Sequence, residues 1–450
     1  MWDSARESRA AFLHPRQHGP PPIAMSTAPA SATSPEPMSM GEVLRIPTMR
    51  RLWIAALISG FGDFLALFAV IGVITFKLRA TPQQVTGVQI SYQLPIAVLG
   101  ILAGVFVDRW PLKPTLVASD LIRCALCLFL PFAHRLPSFY LILFAISVVS
   151  SFFGPAQGVT IRSTVPLHGL RSANALMQQV LFGMRIVGPA MAGFLVAAFG
   201  PNTCYLADSA SFLASGCLIA TLAISRPQAV AQAETVLNQE PTPPRLGIAS
   251  IFADMRTGIR FIVHHAGVLF VILALASGMF VIGCFGPLIA VYIRDSLHAS
   301  TRAFGSISPM IGIGMFCGIN GLNTIGKRIS NTALVYAGLG GIALGLAILS
   351  GLAHIWSTVL GCLIIGIAVA GIIVPSNTMI QQETPPNLMG RVGSTVMSLV
   401  FGAQICGLVL SGLIADRIGV RHVFALCAAM LAALIAAGRL WMEPKPAPAS

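Results

Sequence analysis

Two charged residues lie in the interior of long apolar segments of the sequence, where a charge is costly and therefore informative. Asp63 is near the middle of segment 52–76, and Arg185 is in the middle of segment 174–199. A charged side chain at the centre of a membrane-spanning helix costs about 2.5–3.5 kcal/mol on insertion scales, so it is a functional candidate by default. We predict that Asp63 binds and releases a proton; a structural Asp held by hydrogen bonds to neighbouring helices is the alternative.

Two further acids and one base lie near the ends of other apolar segments. Asp120 and Arg123 are three residues apart in segment 115–132, so they can share one face of a helix. We predict that they form a structural pair within the membrane. Asp208 is near the end of segment 203–224, where we expect water to reach it, in a structural role or at the rim of a cavity.

A short charged turn separates the second and third apolar segments. It contains Gly104, Asp108, Arg109 and Lys113. A carboxylate at the end of one helix can be bound by the N-terminus of another helix or by a base such as Arg171. We predict that this turn is a conformational gate, because breaking the contact would favour one of two states. The alternative is a surface ion pair, which is worth about 0–1 kcal/mol.

The composition indicates an integral membrane protein. Hydrophobic residues make up 55% of the chain and charged residues 10%, and the mean hydropathy is +0.81. Soluble domains carry about 25% charged residues. The net charge of +13 comes largely from Lys and Arg in short loops, which orient a membrane protein and provide no groove for nucleic acid. We expect a protein of the bacterial inner membrane, and the excess of these bases on one side predicts that both termini are in the cytoplasm.

Apolar segments long enough to cross a bilayer recur in two sets of six. We predict an all-α integral membrane protein with twelve transmembrane helices. The expected domains are a disordered tail at 1–41, an N-terminal six-helix bundle at 42–224, a cytoplasmic linker at 225–265, a C-terminal six-helix bundle at 266–441 and a C-terminal tail at 442–450. Within the linker, 251–265 is either an amphipathic helix on the membrane surface or the solvated start of the seventh span.

Several motifs follow one another in a characteristic order and spacing. The charged turn has the pattern Gly104-x-x-x-Asp108-Arg109, and the others are Ser59-Gly-Phe-Gly-Asp63, Arg171-Ser-Ala-Asn174, Gly188-Pro189-Ala-Met-Ala-Gly193, Gly390-Arg391-Val-Gly393-Ser394 and Gly412-Leu-Ile-Ala-Asp416-Arg417. Together they resemble the major facilitator superfamily over residues 42–441. Within it, they are similar to the exporter branch of macrolide-efflux and enterobactin-exporter-type proteins. The stretch from Gly188 to Gly193 resembles that superfamily's antiporter signature.

The fourth apolar segment departs from the exporter pattern. It carries Gly154-Pro155-Ala-Gln157-Gly158 and lacks the arginine that is typical of proton-coupled drug antiporters. The departure argues against proton coupling by that route.

The resemblance implies a fold of two pseudo-symmetric six-helix bundles with a substrate cavity between them. It implies a monomeric secondary active transporter that exports drug-like or siderophore-like small molecules in exchange for protons, by alternating access. Because spans one and five line the same cavity in this superfamily, Arg185 is then the expected cationic partner of Asp63. One alternative is a proton-coupled importer of a small polar or anionic solute, with Arg185 holding the anion. Another is a non-transporting membrane sensor or assembly partner.

The sequence shows no motif of an enzyme or of a cofactor site. It contains no P-loop, no His-Glu-x-x-His and no Gly-x-Ser-x-Gly elbow, so we expect neither catalysis nor a cofactor. Cys124 and Cys127 form a Cys-x-x-Cys in a predicted membrane helix, without a second pair or a nearby histidine. This context favours small apolar packing residues over a metal site.

Overall fold

The computed structural model describes residues 38–107, 109–222, 262, 265–324, 329–385 and 388–441. All regular secondary structure in these residues is helical. The helices follow the apolar segments closely, because a backbone in lipid must satisfy its hydrogen bonds within its own segment. The predicted all-α fold is confirmed.

The first set of helices begins with a short capped helix. In α1 (Met40–Arg45), the side chains of Ser39 and Glu42 each accept a hydrogen bond from the backbone N–H of the other, which forms a capping box. The longer helices of this set are α2 (Pro47–Gly72, continued by a π-helical turn at Val73–Lys77), α3 (Pro82–Val107), α4 (Leu112–Cys127), α5 (Leu136–Thr164), α6 (Leu170–Phe199) and α7 (Pro201–Ala220).

The second set has a similar succession of long helices. They are α8 (Ala266–Asp295), α9 (Thr301–Ile307), α10 (Pro309–Thr324), α11 (Asn331–Gly351), α12 (Ile355–Glu383), α13 (Met389–Ile418) and α14 (Val420–Trp441). The short α9 and the longer α10 together occupy the place of the predicted eighth span.

A single glycine joins the last two helices of each set. Gly200 separates α6 from α7, and Gly419 separates α13 from α14. Both have a φ of 84°, a conformation that favours glycine because it has no Cβ. Each glycine therefore ends one helix and allows the next to begin at once.

Ten helices in the described part of the chain are long and apolar enough to cross a membrane. They correspond to ten of the twelve predicted spans. The other two predicted spans correspond to α3 and α6, which are long helices but are not among these ten. The count of twelve therefore stays a prediction.

The predicted tails and linker lie mostly outside the described residues. Residues 1–37, 223–261 and 442–450 are not described, so the disordered tails and the amphipathic helix stay predictions. The described chain starts at Met38, and α1 begins at Met40, within the last residues assigned to the tail. Helix α2 begins at Pro47, five residues before the predicted apolar segment, because proline suits the first turn of a helix.

Helix pairings in one set recur in the other. In the first set, α2 packs on α6, α3 on α5, and α4 on α7; in the second, α8 packs on α13, α10 on α12, and α11 on α14. The two sets meet through α3 against α13 and α8, and through α6 against α9 and α10. This recurrence is the pattern expected of two pseudo-symmetric bundles.

Two glycines allow the backbones of α8 and α13 to cross closely. A Cβ built on Gly407 of α13 would lie 2.1 Å from the carbonyl oxygen of Phe280, and a Cβ on Gly283 of α8 would lie 2.2 Å from the carbonyl oxygen of Gln404. Small residues at membrane helix interfaces permit such close approach and the dispersion contacts that come with it.

We predict that Gly407→Ala destabilises the protein, because the added methyl group meets backbone that cannot move without separating α8 from α13. Overpacking of this kind costs about 1–3 kcal/mol. Thermal unfolding in detergent should show a lower midpoint. Gly402→Ala on the same helix is the matched control, since its Cβ would have nothing within 4 Å. An equal midpoint for both variants would contradict the prediction.

Candidate functional site

Four charged side chains from three helices meet inside the first set. They are Asp63 of α2, Asp120 and Arg123 of α4, and Asp208 of α7, and we call them the carboxylate cluster. Arg123 forms a salt bridge with Asp120, and its Nη1 lies 3.9 Å from Oδ2 of Asp63. Asp208 lies close enough to Asp63 and Arg123 for their charges to interact.

Arg123 is held in place by its surroundings as well as by its charge. Its side chain is only 4% exposed. The guanidinium lies between two aromatic rings, 4.4 Å from the centroid of Phe153 and 4.3 Å from that of Phe212. A desolvated cation–π contact is worth about 2 kcal/mol, so both rings help to keep the cation in this position.

Asp120 has a closed environment. Its side chain is 0% exposed, and its second oxygen accepts a hydrogen bond of 2.7 Å from Ser215 Oγ of α7. Gly216 lies beside it, and a Cβ there would be 3.2 Å from Cβ of Asp120. Asp120 thus ties α4 to α7 while it neutralises Arg123. This geometry is consistent with the predicted structural pair.

Asp63 is the most accessible acid of the cluster. Its side chain is 25% exposed, against 0% for Asp120. The hydroxyl group of Tyr92, on α3, donates a hydrogen bond of 3.2 Å to Oδ1 of Asp63. One oxygen of Asp63 therefore faces Tyr92, and the other faces Arg123. A change in the charge of Asp63 would alter the contacts of α2 with both α3 and α4.

Asp208 is buried rather than water-accessible. It is 2% exposed, and it accepts hydrogen bonds from Cys127 Sγ at 3.1 Å and from Ser211 Oγ at 3.4 Å. The expectation that water reaches it is wrong, because α4 covers it with Cys127. Gly62, next to Asp63, allows α7 to approach, since a Cβ there would lie 2.5 Å from Oδ1 of Asp208.

The cluster contains more acids than bases. Three carboxyl groups and one guanidinium make up the cluster among the described side chains. Buried charges are retained only when they are paired, so the three acids share a single cation. Among the described residues, no group of three or more His, Cys, Asp or Glu could hold a metal ion.

Two predicted site residues cannot be compared with the structure. The structure describes neither the side chain of Arg185 nor any part of Asp108, so the pairing of Arg185 with Asp63 stays a prediction. Around the gate, α3 ends at Val107, Arg109 is exposed, and Lys113 is half-buried in the first turn of α4. A Cβ on Gly104 would meet no atom within 4 Å.

The glycines of the antiporter-like motif lie at helix contacts. A Cβ on Gly188 would be 2.6 Å from Cβ of Phe64 in α2. A Cβ on Gly193 would be 2.3 Å from Cα of Gly305 in α9, so this position joins the two helix sets. Nothing is described of the side chain of Pro189.

Sequence spacing does not reveal two contacts of Asp63. Three-residue spacing predicts the pair of Arg123 with Asp120 on one helix, but it cannot show the contact of Arg123 with Asp63 on another helix. The second contact is with Tyr92, a polar aromatic residue in an apolar segment that also contains Gln89 and Gln93. A polar face of this kind on a membrane helix would have been a usable signal.

The sequence profile described as "Transmembrane secretion effector" matches residues 39–447, which is almost all of the chain after residue 38. The chain belongs to this family of major facilitator superfamily proteins. It is therefore a multi-pass membrane transporter.

Curated relatives cover most of the chain. An MFS-type transporter of Bacillus subtilis strain 168, YfiS, is 26% identical, covering 83% of this chain and 88% of its own length. Macrolide efflux protein A of Streptococcus pyogenes is 27% identical, covering 75% and 82%. The multidrug efflux pump Tap of Mycolicibacterium fortuitum is 23% identical, covering 82% and 90%.

Solved transporter structures have the same fold. The nucleoside transporter NupG superposes with a TM-score of 0.64 at 15% identity and covers 88% of this chain and 100% of its own. A bacterial homologue of the human lysosomal transporter Spinster, inward-facing and unoccupied, superposes with a TM-score of 0.66 at 13% identity, covering 90% and 99%. These similarities establish the fold of the superfamily.

We predict that Arg123→Gln destabilises the protein by about 3–5 kcal/mol, the cost of leaving a buried charge without its partner. Thermal unfolding should show a large fall in the midpoint. The double variant Asp120→Asn/Arg123→Gln should recover part of the loss, because it removes an acid together with the base. Arg162→Gln, at an exposed position near the end of α5, is the control and should unfold like the unmodified protein. A similar midpoint for Arg123→Gln and Arg162→Gln would show that Arg123 does not hold the cluster together.

Proposed function

We propose that this transporter exports drug-like or siderophore-like small molecules in exchange for protons, by alternating access. The observation that carries the proposal is the position of Asp63. Its side chain is 25% exposed, which makes it the most accessible acid in a cluster of three carboxyl groups and one guanidinium. Such an acid can exchange a proton with water while the other acids of the cluster stay shielded.

The direction and the class of substrate are supported by the relatives. Two of them have names that specify macrolide efflux and multidrug efflux. We extend export of small molecules to this chain on that basis. The proposal involves no catalytic step, and the protein would act as a monomer in the inner membrane of a bacterium, with both termini in the cytoplasm.

The contacts of Asp63 provide a route from protonation to movement. When Asp63 is charged, it attracts Arg123 at 3.9 Å and accepts the hydrogen bond of Tyr92. A proton on Asp63 removes the attraction to Arg123, which keeps its bond to Asp120. Binding and release of the proton thus change how strongly α2 is attached to α4. We propose that Arg185, the predicted cationic partner of Asp63, tunes this step.

We predict that Asp63→Asn abolishes proton-driven export, since an amide cannot carry the proton. Everted membrane vesicles would be energised, and uptake of macrolides, lipophilic cations and siderophores would be followed with and without an uncoupler. Uncoupler-sensitive uptake should be present in the unmodified protein and at least tenfold lower in Asp63→Asn. A tenfold change in an equilibrium constant corresponds to about 1.4 kcal/mol.

Glu383→Gln is the matched control for this experiment. It removes an exposed acid at the end of α12, outside the carboxylate cluster, so it should leave uncoupler-sensitive transport in place. Export that persists in Asp63→Asn would remove Asp63 as the proton carrier. Substrate movement in the opposite direction would support the importer, and no movement of any substrate would support a non-transporting role.

A further inference from the structure

The second Gly-x-x-x-Asp-Arg stretch, from Gly412 to Arg417, has no part in the carboxylate cluster. It forms the C-terminal end of α13, which ends at Ile418. The charged turn with the same pattern follows the C-terminal end of α3, which ends at Val107. Helices α3 and α13 belong to different sets and pack against each other.

Asp416 binds the N-terminal end of α3. Its Oδ1 accepts a hydrogen bond of 3.2 Å from the backbone N–H of Gln83, and its Oδ2 accepts one of 3.2 Å from Thr81 Oγ1. Thr81 Oγ1 also accepts a bond of 3.3 Å from the N–H of Gln84, and Pro82 has no N–H to satisfy. Asp416 therefore satisfies a free N–H of the first turn and places a negative charge at the positive end of the α3 dipole.

Gly412 allows this contact to form. One helical turn before Asp416, a Cβ on Gly412 would lie 2.0 Å from Oγ1 of Thr86 and 3.1 Å from Cα of Gln83. Thr86 is buried, and its hydroxyl donates to the carbonyl oxygen of Gln83, so it is not free to move aside. Only a glycine at this position lets α13 come close enough for Asp416 to reach the end of α3.

A cation on another helix of the second set holds the segment just before α3. Arg294, near the end of α8, donates hydrogen bonds of 2.9 Å to the carbonyl oxygen of Thr75 and 2.7 Å to that of Ala80. Its guanidinium is also paired with Asp295. The link between α2 and α3 is thus attached to both α8 and α13. At this end of the molecule, the two helix sets are closed against each other.

We propose that Gly412 and Asp416 form a latch that holds this end of the transporter closed, and that the transport cycle requires the latch to open. The inference rests on the alternating-access part of the proposed function. Opening would cost the charge-assisted contacts of Asp416 and leave the N–H of Gln83 to water. The latch therefore stabilises one state of the cycle without taking part in binding the substrate or the proton.

The proposal gives the recurrence of the motif a physical meaning. Because the C-terminal end of α13 lies at the N-terminal end of α3, the two helices are antiparallel. The C-terminal end of α3, with its own Gly-x-x-x-Asp-Arg pattern, therefore lies toward the opposite side of the bundle. There the charged turn from Gly104 to Lys113 is predicted to gate the other state.

The test is a distance measurement between spin labels by pulsed electron paramagnetic resonance. Labels on Asn202→Cys and Arg302→Cys, both exposed, would report the separation of the two sets at this end, with Cys217, Cys317 and Cys406 replaced by serine. In Asp416→Ala and in Gly412→Ala, the population with the longer distance should rise about tenfold relative to the population with the shorter distance. The loss of hydrogen bonds to a charged group predicts a change of this size.

Two variants serve as controls for the measurement. Arg417→Ala removes the adjacent charge, and Gly402→Ala adds a methyl group to the same helix where no atom lies within 4 Å. Both should keep the distance distribution of the unmodified latch. An unchanged distribution in Asp416→Ala would overturn the proposal, and this exposed position decides the matter if Gly412→Ala does not fold. The measurement needs no substrate and no proton gradient, so its result is independent of whether Asp63 carries a proton.

Discussion

The first helix set depends on one enclosed guanidinium. Arg123 touches the acids of two helices and lies between aromatic rings from two others, so α2, α4, α5 and α7 all contact a single cation. A buried cation is tolerated only if carboxylates compensate it, and carboxylates are tolerated there only because of the cation. The contacts of Arg123 therefore help to hold these four helices in place relative to one another. They also leave one acid, Asp63, with an exposed side that the other members of the cluster lack.

The same constraint explains how the interior of α5 can lack an arginine, since Arg162 lies in the last turn of that helix. In the structure, α5 contributes an aromatic ring, Phe153, and the charge comes from α4 instead. The electrostatic requirement is for a cation near the acids, and it does not specify which helix supplies the cation. In this chain, the cation beside the acids therefore comes from α4.

The sequence was sufficient for the helices, for Asp63 and for the pairing of Asp120 with Arg123. Long apolar segments must form helices in a bilayer, so their positions followed from hydropathy, and Asp63 stood out because its charge has no place in such a segment. The contacts across helices could not be derived in this way. They depend on close approaches at Gly62 and Gly216, which bring α7 against α2 and α4. For Asp208, nearness to the end of its segment was a poor guide, because exposure depends on how far the neighbouring helices extend.

The one-residue junctions at Gly200 and Gly419 have a mechanical consequence. A connection of one residue has no slack, so α6 and α7 cannot slide independently, and neither can α13 and α14. Helix α7 carries Asp208 and Ser215, which belong to the charged interior, while α6 touches α9 and α10 of the other set. The hairpin of α6 and α7 therefore connects the charged interior of the first set to the boundary between the two sets. A displacement of one of these helices must be accompanied by a displacement of the other, because a single glycine joins them.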